Sequence, residues 1–208
     1  MVGRDNLLAW LEALQQVYAE NKEYLTQLDS AIGDADHGIN MNRGFTAVQA
    51  ELEKSTPADI SAILKTVAMT LIRTVGGASG PLYGTFFLRA STTCTDKAEL
   101  DAAGVVAIFE AGLDGVIQRG KAQLEDKTMV DALTPALEAM KEALAGGEAI
   151  KDILAKGTAA AEAGMKSTIP LQAKKGRASY LGERSIGHQD PGATSSYLML
   201  KAAAEIWD

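Results

Sequence analysis

Apolar residues recur with a helical rhythm along almost the whole chain, and that rhythm leaves little room for a sheet. Leu7, Leu8, Leu11, Leu14 and Tyr18, with Trp10 and Val17 beside them, follow the i, i+3, i+4, i+7 spacing of one buried helix face. Similar patterns recur at about 40–53, 59–75, 81–94, 101–118, 130–144, 148–166 and 191–206. Stretches such as ALEAMKEALA are strong helix formers, and Pro57, Pro81, Pro135, Pro170 and Pro191 fall near helix starts or in connections. Alternating β-branched runs bounded by hairpin turns are absent. The expectation is an all-α fold, a bundle or barrel of about eight antiparallel helices. A length of 208 residues suits a single domain that buries a sizeable core without staples.

The charge balance narrows the partners. A formal net charge of -7 argues against broad binding to nucleic acid or anionic membranes, although a local basic pocket is compatible with it. The single cysteine, Cys94, forms no internal disulfide and is too few for a structural zinc site, which fits a reducing compartment. The N-terminus MVGRDNLLAW lacks a basic segment followed by an apolar one, and no run reaches the roughly 18 apolar residues of a membrane span. A cytoplasmic protein is expected.

One segment carries more negative charge than a helix bundle needs. GDADHGINMNRG, residues 33–44, holds Asp34, Asp36 and His37 among three glycines, and Asp29 stands five residues before Asp34. Two carboxylates about 5 Å apart repel by roughly 3 kcal/mol at an effective dielectric near 20, so three in one volume raise their own pKa values or recruit a cation. Carboxylates without thiolates or paired histidines favour Mg²⁺, Mn²⁺ or Ca²⁺ over zinc or copper. The plainer alternative is that Asp34 or Asp36 caps a helix starting near Asn40 and Asp29 caps another. A calcium-binding EF-hand loop fails because Ile39 stands at its glycine position and Phe45 at its bidentate acid. Mg²⁺, which takes few protein carboxylates and completes its shell with water and substrate phosphates, suits the segment better and implies a phosphorylated ligand.

Two helix starts could receive such phosphates. Gly76-Gly77-Ala78-Ser79-Gly80-Pro81 offers open backbone N–H groups ahead of a helix, and Asp190-Pro191-Gly192 precedes the last helix. A tight interhelical turn and a helix cap are the respective alternatives. Gly115 to Ala122 nearly matches a P-loop, but Ala122 replaces the Ser or Thr that binds Mg²⁺ and a helix precedes the motif. The stretch 172–192, QAKKGRASYLGERSIGHQDPG, reads as a loop of about twenty residues without helical periodicity, long enough to be a lid. It contains Arg177, Ser179, Tyr180, Arg184, His188 and Asp190. His37 could hydrogen-bond a phosphate or substrate hydroxyl. No nucleophile and base are spelled out together, so no catalytic residue is assigned on this chain.

Taken in order, Asp29 with GDADHG, then GGASGPLYGT, RGKAQLEDKTM and KKGRASYLGERSIGHQDPGATS resemble the nucleotide-binding L subunits of dihydroxyacetone kinase, the bacterial form supplied with phosphate by the phosphoenolpyruvate phosphotransferase system. The resemblance spans nearly the whole chain. It implies a barrel of eight antiparallel helices with the nucleotide at one end. It also implies that Asp29, Asp34 and Asp36 ligate two Mg²⁺ ions on the diphosphate of ADP. His37, Gly38, Ile39 and Asn40 would line the nucleotide, with Ala78 and Ser79 at its phosphates. Gly120, Met129 and Arg177 would complete the pocket, and Asp190, Pro191 and Gly192 would close it. Two divalent cations and Arg177 nearly cancel the formal charge of ADP and three aspartates. The resemblance further implies that ADP stays bound as a coenzyme and is rephosphorylated to ATP by a phosphohistidine donor subunit of the phosphotransferase system. The γ-phosphate then passes to dihydroxyacetone on a separate substrate-binding kinase subunit. A transcriptional regulator is an implied further partner. Direct nucleic-acid or membrane binding is not implied, and a homodimer is left open. The competing readings are the nucleotide domain of an ATP-consuming kinase and a non-catalytic binding protein.

Overall fold

The N-terminal rhythm becomes one helix, α1 (Arg4–Glu20), whose buried residues are Leu7, Trp10, Leu11, Leu14 and Tyr18. This is a computed structural model, and it describes residues 1–207. Further helices follow as α2 (Lys22–Ile32), α3 (His37–Ser55), α4 (Ile60–Thr74), α5 (Ser79–Thr92), α6 (Ala102–Gly120), α7 (Met129–Ala145), α8 (Ile150–Ser167) and α9 (Pro191–Ile206). α1 packs on α3, each helix from α3 to α9 packs on the next, and α9 returns to α1. Eight helices thus close an all-α barrel, and α2 lies against α3 and α9 at its edge. No helix among the described residues is long and apolar enough to cross a membrane.

Aromatic side chains fill the middle. Trp10 meets Trp207 edge-on at 4.8 Å between ring centroids, and contacts run on through Phe87, Phe86, Phe109, Phe45 and Tyr18. Both indole N–H groups are satisfied, Trp10 donating to the carbonyl of Met199 and Trp207 to that of Asn6. Aromatic rings in such tilted and edge-on contacts supply large apolar burial with defined geometry.

Several elements depart from the sequence expectation. The helix α2 was not expected, because its buried face carries Leu25, Asp29 and Ile32, so an aspartate interrupts the apolar rhythm. Helix α3 begins at His37 rather than near residue 40, so His37 to Asn40 form its first turn. Helix α5 begins at Ser79, two residues before Pro81. Pro135 lies inside α7 rather than near its start. Its missing N–H leaves the carbonyl of Asp131 without its helical donor, and α8 approaches there so closely that a Cβ on Gly164 would lie 2.1 Å from that oxygen. The stretch 172–192 is not wholly irregular: Arg177–Ser185 winds as 3₁₀ turns, broken at Gly182 with φ 57°. Finally, a strand β1 (Val2–Gly3) pairs antiparallel with β2 (Glu99–Leu100), two residues each and too short to leave a pattern.

Candidate functional site

A cavity of about 700 Å³ opens at the end of the barrel where alternate helices begin. Its wall takes the N-terminal residues of α3 (Asp36, His37), α5 (Ala78, Ser79), α7 (Thr128, Met129) and α9 (Asp190, Pro191, Gly192). Each helix start carries the positive end of a peptide dipole, so four of them converge where a polyanion would be stabilised. Three are already capped by side chains. Asp29 Oδ2 accepts the N–H groups of Asp36 (2.8 Å) and His37 (3.1 Å) at the head of α3. Thr128 accepts from Val130 on α7, and Asp190 from Ala193 on α9. Helix α5, which follows Gly76-Gly77-Ala78, has no side-chain cap, so its first N–H groups are the ones best placed for an external anion.

Asp29, at the end of α2, is therefore both a cap for another helix and a member of a carboxylate cluster. One oxygen each from Asp29, Asp34 and Asp36 lies within 4.8 Å of the others. Asp36 occupies the cap position of α3 yet makes no side-chain cap bond, which leaves its carboxylate for another guest. Asp34 is paired with Arg177, Nε to Oδ2 at 3.1 Å, so the 3₁₀ segment reaches across the cavity mouth to the acidic side. An all-oxygen, carboxylate-rich donor set on this spacing fits a hard divalent cation, or two of them.

Behind the acids runs a buried hydrogen-bond chain. His37 Nε2 lies 2.9 Å from Ser195 Oγ, and its Nδ1 lies 3.1 Å from Ser79 Oγ. Ser195 Oγ also meets Tyr83 (2.7 Å) and donates to the carbonyl of Gly192 (3.0 Å), and Tyr83 meets Ser196 (3.1 Å). One assignment satisfies every contact: Nε2 carries the proton and donates to Ser195, and Nδ1 accepts from Ser79. Burial pulls the imidazole down to about 4, against the upward pull of Asp29 and Asp36, so His37 is neutral at pH 7. Burial pushes the Tyr83 hydroxyl up to about 12.

Asp190 is buried at the head of α9. Burial pushes its carboxyl up to about 7, with the Ala193 N–H opposing the shift and the nearby charge of Asp131 adding to it. The native state thus holds this proton to near pH 7, while the unfolded chain releases it near 3.8. Native protein binds more protons than unfolded protein in that window, so stability falls as pH rises from about 4 to 7 and levels off above. Asp190→Asn, which keeps a cap residue, is expected to remove a stability change of about 4 kcal/mol between pH 4 and 7. Urea midpoints of ligand-free protein at several pH values check this; equal slopes for both proteins would refute it.

Of the residues expected at the site, Asp29, Asp34, Asp36, His37, Ala78, Ser79, Gly120, Met129, Arg177, Asp190, Pro191 and Gly192 all line this one cavity. Gly38, Ile39 and Asn40 do not. Gly38 is buried against α2, Ile39 is exposed, and Asn40 is buried and accepts from Arg43 at 2.5 Å. Arg43 also donates to the carbonyl of Thr74, bracing the connection that leads into Gly76. Sequence reasoning missed Tyr83, Ser195, Lys127 and Asp131. Asp131 completes a capping box with Thr128, a legible signal in Thr-x-x-Asp form; the other three lie within the motifs quoted above but carry no spacing signal of their own.

Comparison with known proteins places the chain in a family. The DAK2 domain model matches residues 31–205. The ADP-binding subunit DhaL of PEP-dependent dihydroxyacetone kinase from Escherichia coli is 47% identical over 203 residues, covering 98% of this chain and 97% of the relative. The corresponding ADP-binding subunit of the PTS-dependent enzyme from Lactococcus lactis is 44% identical, covering 99% of each. L-erythrulose 1-kinase of Mycolicibacterium smegmatis is 35% identical, but the match is only 35% of that longer protein. The crystal structure of the dihydroxyacetone kinase from C. freundii in complex with AMP-PNP and Mg²⁺ superimposes with a TM-score of 0.73 at 26% identity, over 95% of this chain and 33% of the kinase. This chain belongs to the DAK2 domain family and, within it, to the group of ADP-binding subunits of dihydroxyacetone kinase.

Proposed function

We propose that this chain is the Mg-ADP-holding subunit of a phosphoenolpyruvate-dependent dihydroxyacetone kinase working in the cytoplasm. The observation that carries the reading is the opposition, across one cavity, of the Asp29, Asp34 and Asp36 cluster to the uncapped start of α5. The acids suit divalent cations and the helix start suits phosphate oxygens, which together describe a metal-bound diphosphate. Mg²⁺ held by Asp29, Asp34 and Asp36 would supply neutralisation of phosphate charge, the main demand of phosphoryl transfer. The chain's own residues do the rest. Asp29, Asp34 and Asp36 hold the cations. The α5 N–H groups, that of Ser79 among them, orient phosphate oxygens, and Arg177 adds a cation at the mouth. His37 stays neutral and fixed between Ser79 and Ser195.

Ser79 Oγ, 3.1 Å from His37 Nδ1, holds that ring in place, and the phosphoryl group is carried on ADP rather than on the chain. A phosphohistidine donor subunit of the phosphotransferase system recharges the nucleotide, and a separate kinase subunit presents dihydroxyacetone. Higher identity to ADP-binding subunits (47%, 45% and 44%) than to L-erythrulose 1-kinase (35%) favours this division of labour over an ATP-consuming kinase.

The test is to acid-extract the purified protein and identify nucleotide and metal, then to assay transfer with matched partner subunits. ADP with about two Mg²⁺ per chain, and turnover that needs the phosphohistidine donor, are expected. Steady turnover with ATP alone would favour the ATP-consuming reading. A folded protein that refuses Mg-ADP on titration would defeat both.

A further inference from the structure

Lys127 is 1% exposed, in a chain whose other basic residues are mostly at the surface. Its ammonium donates to three backbone carbonyls, those of Leu171 (3.0 Å), Ser185 (2.7 Å) and His188 (2.5 Å). These acceptors lie on both sides of the stretch that carries Arg177. A lysine at the edge of a phosphate pocket invites reading as a phosphate ligand, and Lys127 does line the cavity. Yet an ammonium has three N–H groups, and all three are committed to carbonyls. The charge therefore serves the backbone.

The surroundings are built for that contact. Lys127 and Glu125 sit at φ 61° and 67°, a left-handed conformation that side-chain-bearing residues adopt only when the surrounding structure enforces it. The carbonyl of Asp126 accepts the N–H of Lys174, that of Ile169 accepts Gly187, and Ser185 Oγ accepts Ala173. The two flanks of the 3₁₀ segment are thus drawn together at the start of α7. The segment between them reaches outward to place Arg177 3.1 Å from Asp34.

We propose that Lys127 is a positioning residue for the nucleotide site: its buried ammonium ties both flanks of the 171–188 stretch to the head of α7 and so sets Arg177 opposite the acidic cluster. This rests on the Mg-nucleotide reading for its consequence but not for its geometry, and the experiment separates the two.

Lys127→Met keeps length and removes the donors. In ligand-free protein, amide exchange across 171–188 is expected to rise at least tenfold, with α4 and α5 unchanged. Mg-ADP dissociation is expected to speed at least tenfold, and this effect largely disappears in an Arg177→Ala background, the non-additivity expected of residues acting through one another. Unchanged exchange across 171–188 overturns the proposal. So does a dissociation effect that persists in full without Arg177, which would make Lys127 a direct ligand. Wild-type protein that fails to bind Mg-ADP defeats the functional reading alone, and the exchange comparison still decides the clasp. Should the variant not fold, brief acetylation of native wild-type protein decides: Lys127 stays unmodified while exposed Lys121 and Lys174 react, and equal reactivity overturns the proposal.

Discussion

Asp34→Ala is expected to leave the barrel folded and to weaken Mg-ADP capture by about 100-fold or more. Groups one step removed from a metal commonly cost 10- to 100-fold in metal affinity when lost, and Asp34 belongs to the proposed ligand set itself. Its folding role is small. It is exposed, and its ion-pair partner is Arg177, whose side chain is 68% exposed, so the pair contributes at most about 1 kcal/mol. Removing one of three clustered carboxylates also relieves repulsion in the ligand-free protein. Far-UV circular dichroism and the urea midpoint should therefore stay near wild type while calorimetric titration with Mg-ADP loses its signal. Asp29→Ala should behave differently, because Asp29 also caps α3 through the N–H groups of Asp36 and His37. That variant should lose affinity and, in addition, about 1 kcal/mol of stability. Retained Mg-ADP affinity in Asp34→Ala would sink the metal assignment.

The contrast between these two aspartates shows how far the sequence could be read. The acidic segment was legible because three carboxylates in so few residues demand a partner, and the cation and the helix cap stood as rival explanations. The structure makes them compatible: Asp29 caps with one oxygen while the cluster remains within 4.8 Å. The barrel helices were legible for the same reason that α2 was not. Apolar residues at helical spacing announce a buried face, and in α2 the middle of that face is Asp29. The stretch 172–192 looked irregular because its order comes from elsewhere. Two of its carbonyls, those of Ser185 and His188, and that of Leu171 just before it are bound by Lys127, some forty to sixty residues away in sequence. A buried lysine that binds only backbone has no signature in composition or spacing. The Tyr83, Ser195 and Ser196 chain is similarly silent, since its members read as ordinary helix residues until α5 and α9 bring them to α3.

Gly38→Ala is expected to damage both the fold and the site, although the change is one methyl group. A Cβ at this second position of α3 would lie 2.0 Å from the carbonyl oxygen of Lys22 and 2.9 Å from the amide nitrogen of Thr26. Both are backbone atoms of α2, which cannot swing aside as a side chain could. Thr26 Oγ1, which would lie 2.7 Å away, is itself tied to the Lys22 carbonyl. The two helices must therefore separate, and interiors at crystal-like density resist such insertion at a cost of about 1–3 kcal/mol or more. The same movement draws the first N–H groups of α3 off Asp29 Oδ2 and His37 off Ser79 and Ser195. Stability should fall by about 3 kcal/mol and Mg-ADP affinity by at least about tenfold. Thr46→Ala, at an exposed position of the same helix, should shift stability by no more than about 0.5 kcal/mol. Urea unfolding and Mg-ADP titration of the two variants separate the causes. Loss of both properties in Gly38→Ala means that α2 and α3 are spaced to hold the carboxylates together. Loss of affinity at wild-type stability would instead put Gly38 against the nucleotide itself, the role that resemblance assigns to it and that its burial against α2 argues against.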